Sequence, residues 1–86
     1  MYEVILTREA LRTYRKNEMP LERKLNRFFD ILARNPYSHP NIKILTGILR
    51  GRFRFRVGDW RVVYRVDDKN KQVTILVIAH RSDVYR

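Results

Sequence analysis

The second half of the chain alternates hydrophobic and polar residues with a period of two: Arg52-Phe53-Arg54-Phe55-Arg56-Val57, then Trp60-Arg61-Val62-Val63-Tyr64-Arg65-Val66. That period belongs to strands with one buried face, and the apolar run Val73 to Ala79 is a third segment of strand length. Gly58-Asp59 separates the first two runs, and glycine at the first central position of a two-residue loop is the signal of a type II′ hairpin. Such a loop fixes a register. Val57 lies opposite Trp60, Arg56 opposite Arg61, Phe55 opposite Val62, Arg54 opposite Val63, Phe53 opposite Tyr64 and Arg52 opposite Arg65. Asp67-Asp68-Lys69-Asn70-Lys71 supplies the next turn.

The first half reads differently. Tyr2 to Leu6 predicts a strand, and Thr7 can cap a helix from about Arg8 to Lys16 that turns Leu11 and Tyr14 toward the core. Pro20 suits the first turn of a second helix, where Leu21, Leu25, Phe28 and Leu32 recur on one face, flanked by Phe29 and Ile31. Asn35-Pro36 ends it. Arg23, Lys24, Arg27 and Arg34 fall on its other faces and read as solvated surface. Pro36 to Arg50 reads as an irregular connection, and its Ile42, Ile44, Leu45, Ile48 and Leu49 predict packing under the sheet. The order is strand, helix, helix, meander. It predicts a single small α+β domain over residues 1–86, with two helices on one face of an antiparallel sheet completed by a three-stranded meander. Strand order stays open.

Length bounds what this fold can do. A chain of 86 residues buries roughly 60 to 65% of the surface its unfolded form exposes, enough for one modest core. Cysteine is absent, which removes disulfide staples and thiolate metal sites. No apolar run is long enough to span a bilayer, and Met1-Tyr2-Glu3-Val4-Ile5-Leu6-Thr7-Arg8 lacks the order of a signal peptide, so the expected location is the cytoplasm with no membrane partner.

Charge changes the picture more. Nineteen Lys and Arg against nine Asp and Glu give a formal net charge of +10, which points to a polyanionic partner. On the predicted hairpin the apolar alternates face the helices, while Arg52, Arg54, Arg56, Arg61 and Arg65 share the open face. Like charges directly opposite on a sheet cost about 0.2 to 1 kcal/mol per pair, and Arg56–Arg61 and Arg52–Arg65 are two such pairs. All five are Arg rather than Lys, and the guanidinium fork matches phosphate oxygens in two-point contacts. This face is the expected phosphate-binding surface.

RNA carries its own nucleophile, the 2′-hydroxyl. Its cleavage needs alignment, removal of that proton, stabilisation of charge on the phosphate and protonation of the 5′-oxygen. Clustered guanidiniums suit the charge stabilisation, but arginine is a poor proton donor or acceptor. His39, between Ser38 and Pro40, reads as structural or incidental. His80-Arg81-Ser82-Asp83-Val84-Tyr85 gathers an imidazole, a guanidinium, a carboxylate and a phenol near the end of the sequence. His80 suits a local hydrogen bond as well as proton transfer, and Tyr85 suits stacking on a base, proton transfer or a lid on the core. No metal-ligand spacing, nucleophile triad or glycine-rich phosphate loop is present, and no cofactor is expected.

Leu45-Thr46-Gly47, Gly51 to Tyr64, His80-Arg81 and Val84-Tyr85 together resemble the RelE/ParE toxin superfamily of type II toxin–antitoxin systems, with similarity to RelE the closer, over essentially the whole chain. The resemblance implies a toxin that enters the ribosomal A site and cleaves mRNA there without a metal, by attack of the 2′-oxygen. It implies catalytic roles for Arg54, Arg56, Arg61, Arg81 and Tyr85, while Arg52 and Arg65 of the arginine face, and His80, are the expected RNA-binding residues. Arg61 and Arg81 would hold the scissile phosphate, Arg56 would stabilise developing charge or assist the leaving group, and Tyr85 would orient the nucleotide. The lysines expected at the first two basic positions are Arg54 and Arg56 here, which leaves the acid and base unassigned. A cognate RelB-like antitoxin is the implied partner, with operator DNA reached only through the antitoxin complex. Two further readings stay open: a ParE-like inhibitor of DNA gyrase without nuclease chemistry, and a silent module that only binds nucleic acid or antitoxin.

Overall fold

The structure, a computed structural model, describes residues 1–16 and 19–80. In chain order it forms β1 (Glu3–Leu6), α1 (Arg8–Lys16), α2 (Met19–Arg34), β2 (Ile42–Ile44), a single 3₁₀ turn (Gly47–Leu49), β3 (Phe53–Val57), β4 (Trp60–Asp67) and β5 (Gln72–His80). Thr7 starts α1 as its cap. Its hydroxyl oxygen accepts the Ala10 amide at 3.2 Å and donates to the Leu76 carbonyl at 2.9 Å, so one side chain both caps the helix and ties it to β5. Pro20 falls in the first turn of α2, where a missing N–H costs nothing.

The five strands make one sheet in the order β1-β5-β4-β3-β2. The meander β3-β4-β5 is antiparallel, and the β3–β4 register is the one the two-residue loop dictates, from Phe53↔Tyr64 to Val57↔Trp60. Gly58 takes φ +57 while Asp59 does not enter positive φ, as a type II′ turn requires. Two features differ from the expectation. β1 pairs parallel to β5, Val4 opposite Val73 and Leu6 opposite Ile75, so the sheet is mixed rather than antiparallel. Alternation within a strand says nothing of its direction in the sheet; β1 is placed by its tertiary bonds, Tyr2 N–H to the Ala33 carbonyl and Glu3 N–H to the Lys71 carbonyl. The connection after α2 also contains a strand: β2 pairs antiparallel with β3, Lys43 opposite Arg54.

The core lies between helices and sheet. Leu21, Leu25 and Leu32 of α2 and Ala10 of α1 pack with Phe55, Val57, Val62, Tyr64, Val73, Ile75 and Ile78. The Phe28 ring stands edge-on to Phe55 at 4.1 Å, and the buried Tyr64 hydroxyl donates to the Pro36 carbonyl at 2.7 Å, which fixes the end of α2 to the sheet. The connection packs only in part: Ile42 joins the core, whereas Ile44 is 72% and Ile48 fully exposed, because β2 is an edge strand and the 3₁₀ turn lies in the loop that closes its hairpin.

One irregularity decides what β5 presents. Val63 pairs with Val77, but Tyr64 pairs with Ile75, so Leu76 is an extra residue in the strand. A single inserted residue flips every later side chain to the other face. Val73 and Ile75 point to the core before the bulge; after it Ile78 does, and Val77 and Ala79 turn outward.

Candidate nucleic-acid interface

The open face of the sheet is built by alternation. On β3 and β4 the core takes Phe55, Val57, Val62 and Tyr64 with Phe53 and Trp60 beside them, which sends Arg54, Arg56, Arg61 and Arg65 to the other side. Arg56 is directly opposite Arg61, and Arg54, opposite Val63, is diagonal to both Arg61 and Arg65. Opposite residues on a sheet have Cβ atoms about 5 Å apart and diagonal ones about 7 to 8 Å apart. Arg54, Arg56 and Arg61 are therefore gathered within the span of a single phosphodiester and its neighbours.

These arginines are not equivalent. Arg56 and Arg65 are exposed and Arg54 is half-buried, whereas Arg61 is only 8% exposed and has interaction partners of its own. A guanidinium held that firmly on a central strand is positioned before any ligand arrives. Among the described residues, no ion pair occupies Arg54 or Arg56. Arg52 precedes β3, exposed, with its carbonyl accepting the Leu45 amide at 2.9 Å.

The strand absent from the sequence reading adds a residue to this face. Lys43 of β2 is exposed and directly opposite Arg54, extending the row of cations to the edge of the sheet. The signal was Ile42-Lys43-Ile44, a three-residue alternation too short to stand out. Among the described residues of the strands, carboxylates enter this face at its far end, where Glu3 of β1 and Asp67 of β4 lie level with Gln72. Asp67 is turned inward on its own loop: Asn70 donates to its carboxylate from side chain and backbone, which holds its pKa below the usual value, and Arg65 adds a smaller pull in the same direction. The face is cationic at the β2–β3 side and mixed at the β1 side.

His80 does not join it. The Leu76 bulge pairs His80 with Trp60, and the two rings meet edge-on at 5.1 Å on the helix side of the sheet, opposite to Arg56 and Arg61. Counting alternation through an unbroken strand would have put His80 with the arginines. His39 is structural, as expected: its ring stands edge-on to Phe28 at 5.5 Å and its Nδ1 accepts the Asn41 amide at 3.1 Å. Arg81 and Tyr85 lie outside the described residues.

Comparison with known proteins places this arrangement in context. Residues 4–85 match the family model described as the ParE toxin of the type II toxin–antitoxin system parDE. Toxin RelE of Mycobacterium tuberculosis is 37% identical over 86 residues, 99% of this chain and 87% of that protein. Toxin RelG of the same organism is 47% identical over 38 residues, and that match spans only 44% of each chain. Among solved structures, the RelBE2 toxin–antitoxin complex of M. tuberculosis contains a chain that superposes with a TM-score of 0.80 at 34% identity, covering 93% of this chain and 98% of that one. The archaeal RelE–RelB complex of Pyrococcus horikoshii gives 0.81 at 28% identity over 93% of this chain and 94% of that one.

Proposed function

The chain belongs to the ParE toxin family of type II toxin–antitoxin systems, within the RelE/ParE superfamily and close to RelE, and from that premise we propose that it is an endoribonuclease that cuts mRNA on the ribosome. The observation that carries the reading is the packing of Arg54, Arg56 and Arg61 on one face of adjacent strands, with Arg56 opposite Arg61 and, among the described residues, no ion pair on Arg54 or Arg56. A sheet accepts such self-repulsion when an anion relieves it.

In this mechanism the face grips the mRNA backbone through Arg52, Arg54 and Arg65, while Arg61, held in place by burial, and Arg56 contact the scissile phosphate. The 2′-oxygen attacks phosphorus, the bond to the 5′-oxygen breaks, and a 2′,3′-cyclic phosphate forms. Negative charge gathers on the non-bridging oxygens during attack, and fixed guanidiniums at that point lower the barrier without having to reorganise. By the resemblance to RelE, Arg81 would hold the same phosphate and Tyr85 would orient the nucleotide, while His80 stands against Trp60 on the other side of the sheet. Substrate alignment comes from the ribosomal A site, which places the action in the cytoplasm. The regulating partner is a RelB-like antitoxin, as in the complexes that contain the M. tuberculosis and P. horikoshii neighbours, and operator DNA is reached through that complex.

The test is induced expression without antitoxin, followed by primer extension along a translated mRNA and along the same mRNA lacking its start codon. Cuts within codons that vanish when translation is blocked are the expected result. A second reading is favoured by the ParE description of the matching family: growth arrest with intact mRNA and a DNA-damage response would identify gyrase as the target instead.

A further inference from the structure

We propose that Lys43 is the general acid of this reaction, the group that protonates the departing 5′-oxygen. The proposal rests on the nuclease reading and assigns a role that the arginines cannot fill. An alkoxide leaves RNA slowly unless a proton reaches it as the bond breaks, and a positioned acid contributes about 100- to 10,000-fold to such a step. A guanidinium keeps its protons; an ammonium can give one up.

Position singles out Lys43. It projects from β2 on the arginine side of the sheet, directly opposite Arg54 and diagonal to Arg56. Diagonal neighbours are about 7 to 8 Å apart at Cβ, within reach of a flexible four-carbon stem that bends toward a phosphate held by Arg56. It is exposed, so its head is available to substrate. It is also the one lysine on this face among the described residues of β1 to β5. The histidine that the sequence offered for proton transfer is withdrawn to the other side by the Leu76 bulge and stands against Trp60.

The step balances with this chain's own group and water. The 2′-oxygen bonds to phosphorus and its proton passes to solvent, the electron pair of the breaking bond stays on the 5′-oxygen, and that oxygen takes the Lys43 proton. The products are a 2′,3′-cyclic phosphate, a 5′-hydroxyl and a neutral amine that water reprotonates.

The experiment compares wild type, Lys43→Arg and Lys43→Gln in single-turnover cleavage of mRNA on programmed ribosomes, with a normal substrate and with one carrying a 5′-bridging sulfur at the scissile bond. A thiolate leaves without protonation, so it removes the need for the acid. Lys43→Arg keeps the charge and, at an exposed position on an edge strand, the fold. The expected result is a loss of at least about 100-fold for Lys43→Arg on the normal substrate, with ribosome affinity within about threefold of wild type, and recovery of the thio-substrate rate to within about tenfold of wild type. Lys43→Gln should lose the same cleavage and some affinity besides. A Lys43→Arg rate within about threefold of wild type on the normal substrate overturns the proposal, and so does a loss that the sulfur substrate does not restore, which would mean a positioning role. Wild type that cuts neither substrate overturns the nuclease reading itself, a result separable from both.

Discussion

A carboxylate with two phenols on it shows how single residues hold this fold together. Asp68, in the turn after β4, accepts the hydroxyls of Tyr2 at the start of the chain and of Tyr37 after α2, the latter at 2.6 Å. Lys71 sits over the Tyr2 ring at 5.0 Å and completes the cluster. Three segments far apart in sequence are thereby tied at one point. The Tyr2 bond, then the Tyr37 bond, hold the Asp68 carboxyl below the ordinary carboxylate range, and the Tyr37 phenol is pushed up, by desolvation first and then by that carboxylate. A folded-state pKa below the unfolded one means stability that is present above the unfolded value, about 3.9, and lost as pH falls through the folded value. Thermal melts between pH 6 and pH 2 should therefore show wild type losing stability below about pH 4, with Asp68→Asn less stable at neutral pH and flatter over the acid range. Equal acid slopes for the two proteins would show that the cluster is not what titrates. Deeper in, Tyr64→Phe strands the Pro36 carbonyl that Tyr64 bonds at 2.7 Å, and urea unfolding should register a loss of about 1 to 3 kcal/mol.

Elements were legible where a turn and a period agreed. The β3–β4 hairpin is the best case: Gly58 allows one two-residue loop, the loop allows one register, and the register forces Arg56 against Arg61. An added Cβ at Gly58 meets no atom within 4 Å, so Gly58→Ala tests backbone strain alone, and at φ +57 it should cost about 1 to 2 kcal/mol in denaturant unfolding with an unchanged m value. A neutral substitution there would mean that the loop can switch turn type. β2 was hidden because three residues are too few to establish a period beside Thr46, Gly47 and Gly51, and with it went Lys43. The bulge was hidden because every residue from Val73 to Ala79 except Thr74 is apolar, so the run reads equally well with either set of alternates inward. That ambiguity left the face of His80 open, whereas Arg54, Arg56 and Arg61 were assigned to the open face because polar and apolar residues alternate strictly around them.

For the molecule as a whole, the charge that serves binding opposes folding. With a net charge of +10 and five cations but no acid between Ile42 and Arg56, the β2–β3 hairpin folds against its own field. Salt should then act in two directions. The screening length falls from about 10 Å at 0.1 M ionic strength to about 3 Å at 1 M, so added potassium chloride should raise the melting temperature of the free protein. The same salt should weaken its hold on single-stranded RNA, since each neutralised phosphate contributes about −0.7 to the slope of log affinity against log salt. The double variant Arg54→Gln/Arg56→Gln separates the two effects. It removes two phosphate contacts and the Arg56–Arg61 opposition, so the RNA slope should shrink by about 1.4 while stability at low salt rises by about 0.2 to 1 kcal/mol. A protein that becomes more stable as it loses its grip has charges kept for a ligand. An unchanged slope would show that RNA does not bind this face, and a fall in stability would show that the two arginines are part of the scaffold.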